Sequence, residues 1–199
     1  MSDNETWYTI LDGIANEGTI EEAVVFNGFM KQLGVPATPA LFNAFVKLYC
    51  RHGQPLAALE LDRAFPEYEL KLNNDNLDLV MTTIMAEMQP FGKRVDSTGL
   101  QSSEDMYARI ESITGPAPTV ARMLMVWEYI KANGIMPDGR IYAHLIATHA
   151  YERNRGRVLE LLRELVDHAI SVNATSAVNM LNGIEHMQSG SEEALDTLF

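Results

Sequence analysis

The chain repeats itself every 35 residues, and no other feature constrains its fold as tightly. Trp7, Phe42 and Leu77 stand 35 residues apart, as do Tyr107 and Tyr142. The same interval joins Gly18 to Gly53, Ala23 to Ala58, Ile110 to Leu145, Val126 to Leu161, Ile130 to Leu165 and Asp138 to Asn173. Large, small and turn residues recurring at one step indicate a row of similar supersecondary units. The signals inside each unit are helical. Thr38-Pro39 sets a capping hydroxyl before a proline at the first helical position, where the missing N–H costs nothing. Thr19 with Glu22, and Ser189 with Glu192, have the spacing of a capping box. Gly18, Gly53 and Gly134 each follow an apolar-periodic run, as suits residues that take positive φ past a helix end. No stretch alternates apolar and polar residues with β-branched enrichment. The expected fold is all-α, a solenoid of helix–turn–helix hairpins in which each thin pair completes its core against its neighbours.

The expected organisation is a single helical-repeat array over 1–199. Its units are 4–38, 39–73, an irregular 74–103, 104–138, 139–173 and a partial 174–199. The third is abnormal because Leu77 to Tyr107 spans only 30 residues. Its first helix runs from Asn76 to about Met88 before Gln89-Pro90-Phe91-Gly92 breaks it, so a shortened helix or ordered loop and a bend are expected there. The last unit stops at Phe199, midway through its second helix, with no polar cap after it. Solenoid ends need such caps, so the sequence is expected either to be a fragment or to dock on a partner.

Composition narrows the class of protein. With 47% apolar residues the chain holds enough core material to exclude a disordered tail. No apolar run approaches the ~18–20 residues that cross a bilayer. The Met-Ser-Asp-Asn-Glu start shows neither a secretion signal nor a transit peptide, so the chain is expected to stay in the cytosol or to lack its targeting segment. Cys50, the one cysteine, excludes a disulfide framework and a Cys-rich metal site. Fifteen Lys and Arg against 27 Asp and Glu give a net charge of −12. A chain this acidic repels polyanions unless its cations gather on one face.

The spelling within the repeat resembles the pentatricopeptide repeat (PPR) family. Leu41-Phe42-Asn43-Ala44-Phe45-Val46-Lys47-Leu48-Tyr49-Cys50-Arg51-His52-Gly53 is similar to the first helix and turn of that motif. Gly134-Ile135-Met136-Pro137-Asp138 is similar to its closing segment. The tetratricopeptide repeat is one residue shorter and lacks this terminal Gly-Ile-x-Pro-Asp. The resemblance implies a right-handed superhelix, residence in mitochondria or chloroplasts, and binding of single-stranded RNA at one nucleotide per repeat. It further implies base readout by the fifth and last residues of each unit, with the second residue flanking the base. Polar side chains at a fixed axial step suit the edges of unstacked bases.

Carried over, the resemblance pairs Tyr8 with Thr38, Asn43 with Asn73, Ala108 with Asp138 and Ala143 with Asn173. Arg51 is placed near a phosphate, and Asn43/Asn73 would favour a pyrimidine. The flanking residues are Glu5, Ala40, Asp105 and Arg140. Only the Asn43 pair is well spelled, since alanine cannot hydrogen-bond a base edge and a flanking carboxylate repels phosphate. On the expected inner helices Asp12, Asp75, Asp78, Glu87, Glu111, Glu152 and Glu185 stand against Lys47, Arg51, Arg109, Arg140 and Arg153, a neutral to acidic groove rather than an electrostatic funnel.

Other chemistry is expected to be absent. Cys50 lies on the apolar stripe of a first helix and reads as core. Trp7, Tyr107 and Tyr142 read as core aromatics, and the eleven methionines as gap fillers. His144 and His149 do not share a helical face, and His52, His168 and His186 form no metal-ligand spacing. Glu21-Glu22 and Glu192-Glu193 suit helix N-termini. With no phosphate loop and no nucleophile or zincin motif, the chain reads as non-enzymatic and free of cofactor. Two functions compete. One is an organellar RNA-binding factor. The other is a protein scaffold or accessory subunit, holding partners through the 89–103 segment and the uncapped C-terminal repeat.

Overall fold

The computed structural model describes residues 4–66, 70–86 and 118–196. Its helices are α1 (Asn4–Glu17), α2 (Ile20–Gln32), α3 (Pro39–Arg51), a 3₁₀ helix (Pro55–Glu60) leading into α4 (Leu61–Ala64), and α5 (Asn74–Ala86). After an interval come α6 (Pro118–Ala132), α7 (Gly139–Tyr151), α8 (Arg155–Asp167) and α9 (Ala174–Asp196). No strand occurs among the described residues. The fold is an all-α helical repeat. Its first helices start at residues 4, 39 and 74, and again at 139 and 174, each step being 35 residues. The Gln89–Gly92 break, the loop after it, Asp105, Tyr107, Ala108 and the acids Glu87 and Glu111 lie outside the described residues.

Helix starts and stops follow local chemistry. Thr19 caps α2 through a complete box: its hydroxyl accepts from Glu22 N, and the Glu22 carboxylate accepts from Thr19 N at 2.8 Å. Pro39 opens α3 as expected, but Thr38 makes no side-chain capping bond. Five helices close in the same way. After α2, α3, α6, α7 and α8, the residues Gly34, Gly53, Gly134, Arg153 and Ala169 take φ of 71°, 70°, 63°, 57° and 50°. In each the next N–H reaches back to the helix, as Val35 N does to Met30 O (2.9 Å) and Ile170 N to Leu165 O (3.0 Å). These are Schellman turns, which satisfy carbonyls that the helix leaves unpaired. Gly18 is not one of them. Its backbone is not left-handed; a Cβ there would sit 2.7 Å from the Glu22 carboxylate and 2.9 Å from Ile14, so glycine is required for closeness.

The helices gather into two compact units, divided between Thr83 and Ile84. In the first, α3 packs beside α1 and against α2. Phe42, Phe45, Leu41 and Leu48 are buried between them. Phe65 leans on both Phe42 and Phe45, with ring centroids 6.5 and 5.4 Å away. Ala23 and Ala58, one repeat apart, are both buried. Small residues there let the second helix approach the first. Trp7 is half-buried against Phe26. The second arm of hairpin 39–73 is a 3₁₀ segment plus one α turn rather than a full helix.

In the second unit α7 is enclosed by its neighbours: every residue from Ile141 to Ala150 is buried. Tyr142 packs edge-on against Trp127 at 5.9 Å. Glycine permits the tightest contact. A Cβ on Gly183 of α9 would stand 3.0 Å from Ala147 Cα and 3.3 Å from Ala150 Cβ. Helix α9 runs unbroken for 23 residues, so Ser189 does not start a separate helix as its spacing to Glu192 suggests. Tertiary packing of a long amphipathic helix outweighs one local capping signal. No described helix is long and apolar enough to cross a membrane.

Candidate nucleic-acid interface

The four last-of-repeat positions share a structural duty. Each immediately precedes a first helix, at its N-cap. Asp138 Oδ1 accepts from Arg140 N (3.0 Å) and Ile141 N (3.3 Å). Asn173 Oδ1 accepts from Ser176 N at 2.8 Å. Asn73 Oδ1 accepts from Asn76 N at 3.0 Å, and Thr38 holds the same backbone position without a side-chain bond. Short acceptor side chains satisfy the orphan N–H groups that open a helix.

Around Asn73 this cap becomes a three-amide cluster. Asn76 Oδ1 returns a bond from Asn73 N (3.3 Å), closing an Asn/Asn counterpart of the capping box. Asn76 Nδ2 then donates to Asn43 Oδ1 on α3 at 2.7 Å. The structure therefore joins Asn43 and Asn73 through Asn76, which is itself buried. Asn43 and Asn73 are both exposed. Their carboxamide oxygens serve the protein, and both Nδ2 groups remain available as donors. Asn76 was missed from the sequence, although its place three residues after Asn73 is a capping-box signal.

The other readout positions are spent differently. The Tyr8 hydroxyl donates to Pro36 O in the linker before α3. Arg51 Nη2 donates to Gly18 O, where His52 Nε2 also stands at 3.2 Å, so this guanidinium holds the α1–α2 turn. Arg140 Nη2 pairs with Asp138 Oδ2 at 2.7 Å. Ala143 is 1% exposed beneath its neighbours and is out of reach of any base. Lys47 pairs with Asp12 at 3.3 Å. The expected groove cations are thus largely engaged within the protein.

Nothing in the described residues resembles a reaction centre. No three His, Cys, Asp or Glu side chains converge as metal ligands among them. Burial raises the pKa of the Cys50 thiol, only partly offset by a hydrogen bond from Thr83, so the reactive thiolate is disfavoured.

No protein family's sequence pattern matches the chain, and no curated protein matches it. Solved structures do. The pentatricopeptide repeat protein PPR10 from maize is 17% identical, with a TM-score of 0.38 over 97% of this chain and 30% of its own. PPR10 in complex with an 18-nt psaJ RNA element is 16% identical, with a TM-score of 0.33 over 97% and 32%. This chain is an all-α helical repeat. That class rests on its own 35-residue helix steps and Schellman turns, since superpositions this loose carry no argument. The chain spans about a third of the length of the solved chains it matches.

Proposed function

We propose that this PPR-like chain is a non-catalytic RNA-binding module of mitochondrial or chloroplast RNA metabolism. The observation that supports the reading is the Asn43–Asn76–Asn73 cluster between successive first helices, in which buried Asn76 holds exposed Asn43 and Asn73. Its two Nδ2 groups present donors to the carbonyl oxygens of an unstacked pyrimidine. Among the described residues base recognition centres on this step, because Ala143 is buried and Tyr8 is tied to Pro36. Affinity is modest, because Lys47 and Arg51 serve the fold. Mobility shift with short oligo-U, oligo-C and oligo-A at two salt concentrations tests it. Pyrimidine binding that weakens with salt, and weakens further in Asn43→Ala, is the expected result. No binding at low salt would sink the reading.

A second reading, a protein scaffold, is favoured by the same engaged cations and by exposed apolar side chains. Val178 and Leu181 are uncovered on α9, in the C-terminal repeat, as are Val25 and Phe29 on α2 and Leu33 at its C-cap. The other docking segment of that reading, 89–103, lies outside the described residues. A stoichiometric protein partner co-purifying from native extract, with no RNA, would favour it.

A further inference from the structure

Two second helices, one in each unit, carry exposed faces of opposite charge. Val25 and Phe29 on α2 and Leu33 at its C-cap recur at four-residue steps and are all more than half exposed. Such spacing aligns them in one stripe. At the N-terminal end of that stripe a shallow apolar hollow is lined by Ile14, Val25, Phe26 and Phe29, with Glu21 and Glu22 on its rim. On α8, Arg155, Leu159 and Arg163 recur at the same four-residue step and are all exposed. Val166, 73% exposed, extends this face. Arg153 in the preceding turn adds a third exposed cation. Among the acids of α8, Glu160 is held by Arg157 at 2.9 Å, and Asp167 stands at the far end of the helix.

Each face is poorly suited to water alone. The α2 stripe exposes three large apolar side chains. Arginine at the first position of α8 opposes the helix dipole, where a carboxylate is preferred. The mismatches are complementary. One face is an apolar hollow rimmed by two carboxylates. The other is an apolar knob, Leu159, with a guanidinium about 6 Å along the axis on either side.

We propose that these faces bind one another between copies, the α8 face of one molecule seating on the α2 face of a second. Leu159 enters the Ile14–Val25–Phe29 hollow, and Arg155 and Arg163 meet Glu21 and Glu22. The contact is heterologous, so association continues with concentration unless the arrangement closes. It is independent of the RNA reading.

Sedimentation of the full chain from micromolar to sub-millimolar concentration tests the contact. The mass of the wild type rises with concentration. Arg155→Glu with Arg163→Glu, and separately Glu21→Arg with Glu22→Gln, each weaken association at least about tenfold through like-charge contact. Glutamine at position 22 keeps the α2 capping box. An equimolar mixture of the two variants associates again, because each then offers the charge the other needs. Thermal melts monitor folding. Should a charge variant unfold, Leu159→Ser replaces it, since that side chain is 43% exposed and its loss removes the apolar knob without changing charge. A wild type that stays monomeric throughout, association unaltered by the substitutions, or a mixture that fails to recover would each overturn the proposal.

Discussion

Asp12 and Lys47 occupy the same position of successive first helices, 35 residues apart, and their side chains meet at 3.3 Å. The repeat interval is therefore a physical rung between neighbouring hairpins. The pair is substantially exposed, 62% for Asp12 and 43% for Lys47, and stabilises the fold by less than about 1 kcal/mol. Its larger effect is to neutralise a cation. Asp12→Asn is expected to tighten binding of single-stranded RNA about two- to fivefold at low salt, with little change in melting temperature. Filter binding at two salt concentrations checks it, and an unchanged affinity would remove Lys47 from the interface.

Asn76 connects stability to recognition. Replacing it by alanine removes a cap and the bond to Asn43 together. Asn76→Ala is expected to cost about 1–2 kcal/mol in urea unfolding, with a loss of oligopyrimidine affinity. Asn43→Ala, whose partner Asn76 keeps its bond to Asn73 N, is expected to cost less stability and at least as much affinity. Equal stability losses would contradict the cluster.

Gly134 and Ala169 are one repeat apart and close their helices through the same left-handed turn, at φ 63° and 50°. A Cβ in that conformation costs about 1 kcal/mol. Ala169→Gly should therefore stabilise the protein by about 1 kcal/mol, and Gly134→Ala should destabilise it by a similar amount. Denaturant midpoints of the two variants must move in opposite directions.

Two groups of α7 set the pH range of the second unit. Burial, helped by the positive charge of Arg157, lowers the pKa of His149 below 6.5. The unfolded chain then takes up a proton before the folded one does, so stability falls as pH drops below 6.5. Burial and the nearby Glu164 raise the pKa of Tyr142 above 10.0. The unfolded chain loses that proton first, so stability falls again as pH climbs beyond 10. Melting temperatures should hold between these limits as far as this pair is concerned. His149→Gln should flatten the acid limb, and Tyr142→Phe the alkaline one.

The helical step was legible because it is written in residues whose duty is local. Proline at N1, the Thr19–Glu22 box and glycine before Gln54 or Ile135 act within one turn of chain. Two turns escaped notice because Arg153 and Ala169 occupy left-handed positions without being glycine, the surrounding packing fixing what the residue type does not favour. The unbroken course of α9 was hidden for a similar reason. The Ser189–Glu192 spacing signals a new start, but the helix packed along α7 runs on through it. At the site, residue identity was readable and occupancy was not. That Arg51 holds Gly18 O and Arg140 holds Asp138 depends on hairpin geometry, which sequence spacing alone does not supply.

Asp138, Asn173 and Asn73 each begin a helix from the last place of their repeat. On the RNA reading proposed above, the residues that can both meet a nucleotide there and launch the next coil are asparagine, aspartate, serine and threonine. A long or aromatic substitute at one of these places costs about 1 kcal/mol of helix start along with any change of preference, so recoding disturbs the fold least when spelled in those four letters.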